Sequence, residues 1–217
     1  MNKQGNVMIK PLPELQLPPC DLQMVLRERE TVRSFNVEQG LNLEQLSALL
    51  WAGQGERKTR GGTSNGKRMA PSANGLCPLS LQVYVRHVRG LIPGVYSYNG
   101  ASHSLNFLDE GERSAQFAAA AIGEQPWLAD AAAVIVVLAD IQSMRQAFAE
   151  QAPRGWRGER YVYMETGAVS QNMHLQATAL GLGMTLVGGF DDVAVCQLLP
   201  QSGLLEPTAL LCIGPRA

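Results

Sequence analysis

Residues 131–139 read AAAVIVVLA, nine consecutive apolar positions held between Asp130 and Asp140. A helix needs about 20 apolar residues to span a bilayer, so this run is too short for that. Its β-branched centre is the pattern of a strand buried on both faces. Such a strand requires a layer of structure on each side, and the rest of the chain must supply both. With 217 residues, 46% of them hydrophobic and 17% charged, the chain has the material for one domain with a substantial core.

The flanking segments fit that demand. Pro11, Pro13, Pro18 and Pro19 exclude regular helix at the start, so residues 1–20 read as an extended N-terminal arm before a single domain over 21–217. Asp21 is placed to cap a helix carrying Leu22, Val25 and Leu26. A second helix is expected after Asn42, with Leu43, Leu46, Leu49 and Leu50 on one face and Gly53 and Gly55 as its stop. Residues 56–75 lack apolar periodicity, are rich in Gly, Arg and Lys, and read as a loop. LQVYVRHV (81–88), GVYSY (94–98) and SLNFL (104–108) read as a small antiparallel group. An alanine-rich helix is expected over 112–122 and a long helix with many small residues over 159–180. Strands at 184–189 and 208–214 would flank a short helix capped by Asp191. Helices and strands mix without strict alternation, which is the α+β class.

Composition narrows the function. A net charge of −1 argues against a nucleic-acid partner. The N-terminus has no continuous apolar stretch of the kind that targets a chain for export, so a cytoplasmic protein with no membrane partner is expected. Cys20, Cys77, Cys196 and Cys212 form no CxxC pair, and His87, His103 and His174 are scattered, so no metal signature is present.

Three separated segments carry chemistry. Arg29-Glu30-Thr31-Val32-Arg33 would turn two guanidinium groups and a hydroxyl toward one anion if the chain is extended there. By itself it reads more readily as a solvated helix end. Arg68-Met69-Ala70-Pro71-Ser72-Ala73-Asn74 has the small polar residues that let a rigid backbone lie against a flat ring, or that form a surface turn. Gly188-Gly189-Phe190-Asp191 joins a strand to a helix, and its glycines admit close approach of backbone to a ligand.

Taken together these segments resemble the nitroreductase family of FMN enzymes, over about residues 21–214. The resemblance is carried by RETVRSF (29–35), LLWAGQG (49–55), RMAPSANGLCPLSLQVYV (68–85), GLIPGVYSY (90–98) and YVYMETGAVSQNMHLQATALGLGMTLVGGFDD (161–192). The last block is the most specific, and within the family the SagB/ThcOx-type dehydrogenases are the nearest look-alikes. The resemblance implies an α+β nitroreductase-like fold, with a central mixed sheet flanked by helices in a domain-intertwined homodimer. It implies FMN as cofactor. Arg29 and Thr31 would hold the phosphate, joined by Arg216, and Arg33 would face the pyrimidine edge; Glu30 lies within the same element. Pro71, Ser72, Ala73 and Asn74 would cover the ring from the other subunit, with Arg68 near the flavin or substrate. Gly188 and Gly189 would lie at the flavin N5.

The activity so implied is reduction of a small nitro, quinone or flavin-type acceptor with NADPH or NADH as donor. The SagB-type relatives suggest instead a dehydrogenase acting on an azoline or other peptide-derived substrate. Those enzymes carry a Lys-Tyr pair ahead of the long helix, where this chain has Pro153-Arg154. A non-catalytic flavin-binding protein is the alternative of a different class.

Overall fold

The structure is a computed structural model that describes residues 8–15, 20–58, 64–153, 156–200 and 202–217. Pro18, Pro19 and Arg154, named above, and Arg60, Gly61 and Gly62 of the 56–75 segment lie outside these residues. In chain order the elements are β1 (Ile9–Pro11), α1 (Leu22–Glu28), α2 (Leu43–Gln54), β2 (Glu56–Lys58), β3 (Ser64–Arg68), β4 (Leu79–Val85), β5 (Gly94–Asn99) and β6 (Ser104–Glu110). They continue with α3 (Ser114–Ala120), α4 (Trp127–Asp130), β7 (Ala133–Ala139), α5 (Ile141–Ala147), α6 (Trp156–Ala179), β8 (Leu182–Val187), α7 (Asp192–Leu198) and β9 (Glu206–Pro215). Among the described residues no helix is long and apolar enough to cross a membrane.

Seven strands form the main sheet in the order β1-β6-β5-β4-β7-β9-β8. The apolar run is β7, with β4 bonded along one edge and β9 along the other. All seven of its residues are buried. Ala133, Ile135, Val137 and Ala139 face a core shared with Leu46, Leu49 and Leu50 of α2 and Val162, Val169 and Met173 of α6. Val134, Val136 and Leu138 face a second core with Phe117 of α3, Leu128 of α4 and Val195 of α7. Helices thus cover both faces, and that double cover explains why the strand has no polar alternation.

The α+β class holds, with one correction. The expected mixed sheet is antiparallel at every strand pairing described. A continuous apolar run reports burial on two faces, and burial does not fix strand direction.

The local signals act as their chemistry requires. The Asp21 carboxylate accepts from the Gln23 N–H at 2.8 Å. Asn42 and Gln45 form a reciprocal capping box at the start of α2. Asp191 accepts from the Ala194 N–H at 2.9 Å to start α7. Three expectations change. Gly53 lies inside α2 against Met173, and only Gly55 ends the helix. Of the apolar residues expected on one face of α1, Val25 is buried, whereas Leu22 and Leu26 are more than half exposed. The segment after α2 is not all loop, because β2 and β3 pair as a small hairpin.

Ile135 is fully buried and sits between two bonded strands. Truncation to alanine should cost about 2–5 kcal/mol, the range for large-to-small core changes. Urea unfolding of Ile135→Ala should show a lower midpoint at unchanged slope; an unchanged midpoint would contradict the central place given to β7.

Candidate functional site

Helix α1 stops at Glu28, and Arg29 adopts an extended backbone with φ −62° and ψ 117°. The chain then runs beside β8, with the Val32 N–H donating to the Met184 carbonyl at 3.0 Å. The contact is close: a Cβ on Gly183 would lie 2.6 Å from Val32 Cγ1. Gly181, with φ +69°, makes the turn out of α6 that allows it. The ALGLG sequence is therefore what seats the Arg29–Arg33 segment on the sheet. With Val32 packed against β8, Thr31 and Arg33 are exposed and Arg29 is half-buried.

The arginines do not stand alone. His174 of α6 is buried, and its Nε2 lies 2.8 Å from the Glu30 carbonyl oxygen, so Nε2 carries the proton and donates. Burial holds the His174 pKa below the usual imidazole value, and the charges of Arg29 and Arg216 add to that lowering. Both guanidinium groups are thus near enough to act on one imidazole. Arg216 also donates to the Glu30 carboxylate at 2.6 Å. Glu30 has no charge suited to an anionic ligand; its geometry gives it the task of holding Arg216. The result is a cationic cluster at one end of the segment.

At the other end Arg33 lies over the Trp127 ring, 5.5 Å from its centroid. The Trp127 indole N–H is buried without a hydrogen-bond partner. Just before it, the Gln125 side-chain amide donates to the Gly189 carbonyl at 3.2 Å and to the Ile122 carbonyl at 2.9 Å. The Ile122 N–H donates to the same Gly189 oxygen at 2.9 Å. The Gly188–Gly189 turn, which follows β8 directly, is held by that carbonyl. Neither glycine adopts a positive φ. A Cβ on Gly188 would meet nothing nearer than 3.9 Å, and one on Gly189 nothing nearer than 3.7 Å. The chain itself leaves this space open. Cations at one pole, a turn with open space beside it and a buried unpaired indole N–H nearby suit a planar group carrying a phosphate. The donor set therefore fits FMN.

Pro71, Ser72, Ala73 and Asn74 lie elsewhere. Glu165 of α6 is buried, and its carboxylate accepts from the Ala73 N–H at 2.7 Å with the Ser72 hydroxyl facing it. The Ser72 hydroxyl oxygen also accepts from the Cys77 N–H at 2.8 Å. Asn74 takes φ 52°, a left-handed conformation that asparagine tolerates. Arg68 belongs to this group rather than to the arginine cluster: it pairs with Glu56 at 3.1 Å.

Glu165 and His174 stand nine positions apart on α6, about two and a half helical turns and about 14 Å of rise. They leave the helix on opposite faces. The expected site residues thus fall into two groups, Arg29, Thr31, Arg33, Gly188, Gly189 and Arg216 on the side reached by His174, and Pro71–Asn74 on the side reached by Glu165. Sequence reasoning gave no role to Gln125 or Trp127. They follow a weak alanine helix and match no local pattern; only tertiary contact brings them to the site.

Burial raises the Glu165 pKa, against the opposing pull of its hydrogen bonds from the 72–73 segment. A carboxyl whose folded pKa is raised favours folding in its neutral form. Its contribution is full below the ordinary carboxyl range and is lost as pH rises through the raised value. Glu165→Gln mimics the neutral form, so its stability relative to wild type should climb as pH rises through that window. Glu165→Ala leaves the Ala73 N–H without its partner and should cost about 1–3 kcal/mol. Urea unfolding of the three proteins from pH 4 to pH 8 reads both effects, and a Glu165→Gln difference independent of pH would refute the first.

The comparisons with known proteins bear on the fold and the family. The sequence profile of the nitroreductase family matches residues 26–215. A protein of Methanocaldococcus jannaschii assigned as a nitroreductase is 36% identical over 189 residues, spanning 86% of this chain and 89% of its own. The crystal structure of a Ralstonia eutropha protein, likewise assigned, superposes with a TM-score of 0.76 at 26% identity, covering 96% of this chain and 90% of that one. A Desulfovibrio desulfuricans protein crystallised in complex with FMN has the same fold, with a TM-score of 0.59 at 20% identity over 92% of this chain and 88% of its own. With the matched profile covering most of its length, this chain belongs to the nitroreductase family of oxidoreductases.

Proposed function

We propose that this chain is an FMN-dependent reductase that passes two electrons from NADPH or NADH to a small nitro, quinone or flavin-type acceptor. The observation that carries the reading is the seating of Arg29, Arg33, Arg216 and Gly188–Gly189 around β8, with cations at one end and open space at the other. Bound FMN would supply the redox chemistry, accepting and releasing a hydride equivalent. Arg29, Thr31 and Arg216 hold its phosphate, with Glu30 orienting Arg216. Arg33, backed by Trp127, would lie beside the pyrimidine part of a bound flavin, where its fixed positive charge would favour negative charge on the ring. The 188–189 turn, fixed by Gln125, aims backbone toward the ring. Reduction is preferred over azoline dehydrogenation because Pro153-Arg154 replaces the Lys-Tyr pair of the SagB-type enzymes.

The proposed site is shared between two copies of the chain, one presenting the arginine half and the other Pro71–Asn74. Two features support this. The half-sites leave opposite faces of α6, and α6 also carries an exposed stripe of Arg160, Met164, Gly167 and Gln171, flanked by Trp156 and Tyr163. That i, i+4, i+7, i+11 spacing is the seam along which helices pair. A Cβ on Gly167 meets nothing within 4 Å on its own chain. Gly167→Phe should therefore leave the secondary structure intact while lowering both the dimer fraction and the FMN content. Light scattering with flavin absorbance measures the two together, and a dimeric, fully flavinated variant would rule out this face.

The functional reading is tested by the visible spectrum of the purified protein, followed by anaerobic NADPH and NADH. The expected result is a flavin spectrum that bleaches with at least one donor and returns on adding a quinone or nitroaromatic. A flavin that does not bleach would move the assignment to the dehydrogenase or binding alternatives. A colourless protein that takes up no added FMN would remove it.

A further inference from the structure

The β2–β3 hairpin takes no part in the arginine half-site, yet it carries much of the chain's positive charge. Arg57 lies on β2, and Lys67 and Arg68 lie on β3. The base of the hairpin is fixed. The Met69 N–H donates to the Gly55 carbonyl at 2.9 Å, and Glu56 pairs across the strands with Arg68. Between the hairpin and the 71–77 loop lies a cavity of about 560 Å³, walled by Arg57, Lys67 and Arg68 on one side and Pro71, Ser72 and Asn74 on the other. That is a volume ordinary for small-molecule sites. The Arg68 Nε is buried without a hydrogen-bond partner.

Among the described residues no acidic side chain lines this cavity. Glu56, which meets Arg68, faces a neighbouring cavity of about 520 Å³ that shares Arg57 and Met69. The neighbour also carries Glu14 and Lys58, so its charge is mixed. In the cavity against the 71–74 segment, the charged side chains among the described residues are all cations. Guanidinium and ammonium groups in such a recess recognise phosphate or carboxylate oxygens, and a cleft lined by one sign of charge concentrates ligands of the other.

We infer that this cavity is an anion subsite, and that it selects redox partners carrying a phosphate or carboxylate for reaction at the adjoining flavin site. The inference rests on the placement of Pro71–Asn74 at the flavin proposed above. The anion has two possible sources, the ribose phosphate that distinguishes NADPH from NADH, or an acidic group on the acceptor.

The test uses the full chain saturated with FMN, in wild-type form, as Arg57→Gln/Lys67→Gln, and as the charge-keeping Arg57→Lys/Lys67→Arg. Calorimetric titration with inorganic pyrophosphate at low salt reads the subsite without turnover. The Gln pair should weaken pyrophosphate binding about tenfold or more, and the charge-keeping pair should bind much as wild type. Values of kcat/KM are then compared for NADPH against NADH, and for 4-nitrobenzoate against its neutral amide. A fall of similar size in the first ratio assigns the anion to the donor; a fall in the second assigns it to the acceptor. Unchanged pyrophosphate binding in the Gln pair overturns the inference, and so does weakened binding with neither ratio altered. A protein that takes up no FMN fails the functional reading instead, and the pyrophosphate titration still scores the cavity.

Discussion

Glu165 and His174 leave opposite faces of α6, and each ends on a backbone group of a different loop. Those two hydrogen bonds set where the functional loops lie. Buried polar side chains need partners, because a lost partner costs the full desolvation of the group left behind. Here the partners are the Ala73 N–H and the Glu30 carbonyl, so the demand that α6 satisfy its buried side chains is the same demand that fixes the 71–74 and 29–33 segments. The helix can act as that ruler because the sheet holds it. Val162, Val169 and Met173 are fully buried in the core that also contains Ile135 and Val137 of β7.

The strands and helices were largely legible in the sequence because their signals are local. The apolar run, the Asp21, Asn42 and Asp191 caps and the alternating strands each depend on a few neighbouring residues. Strand direction was legible in the 81–108 group, which is antiparallel as expected, but not for the sheet as a whole. Antiparallel sheets commonly leave one face wet and so alternate. This one is covered by α2, α5 and α6 on one face and by α3, α4 and α7 on the other, which removes the alternation that would have marked it. The β2–β3 hairpin was missed for a related reason: its strands are short, charged and glycine-bearing, and their pairing rests on backbone geometry rather than on apolar side chains.

At the site the sequence gives residue types but not partners. Arg29, Thr31 and Arg33 can act together only if α1 has ended, a condition the sequence leaves open and the extended backbone at Arg29 meets. Glu30 looked like part of an anion-binding element, yet its carboxylate is occupied by Arg216, 186 positions later. Gln125 and Trp127 reach Gly189 and Arg33 across 64 and 94 positions, and no periodicity encodes such meetings.

Charge shows the same separation of scales. The whole chain carries −1, a value that speaks against polyanion binding in general. Exposed charges more than about 8 Å apart are largely screened at physiological salt, so a ligand responds to the few groups around it rather than to the total. Arg29 and Arg216 form one local positive region beside His174, and the β2–β3 hairpin forms another beside the 71–74 loop. Because the two regions are separate, a near-neutral chain can present two distinct cationic surfaces. In each, one carboxylate meets one of the cations, Glu30 on Arg216 and Glu56 on Arg68, and leaves the others to face a ligand.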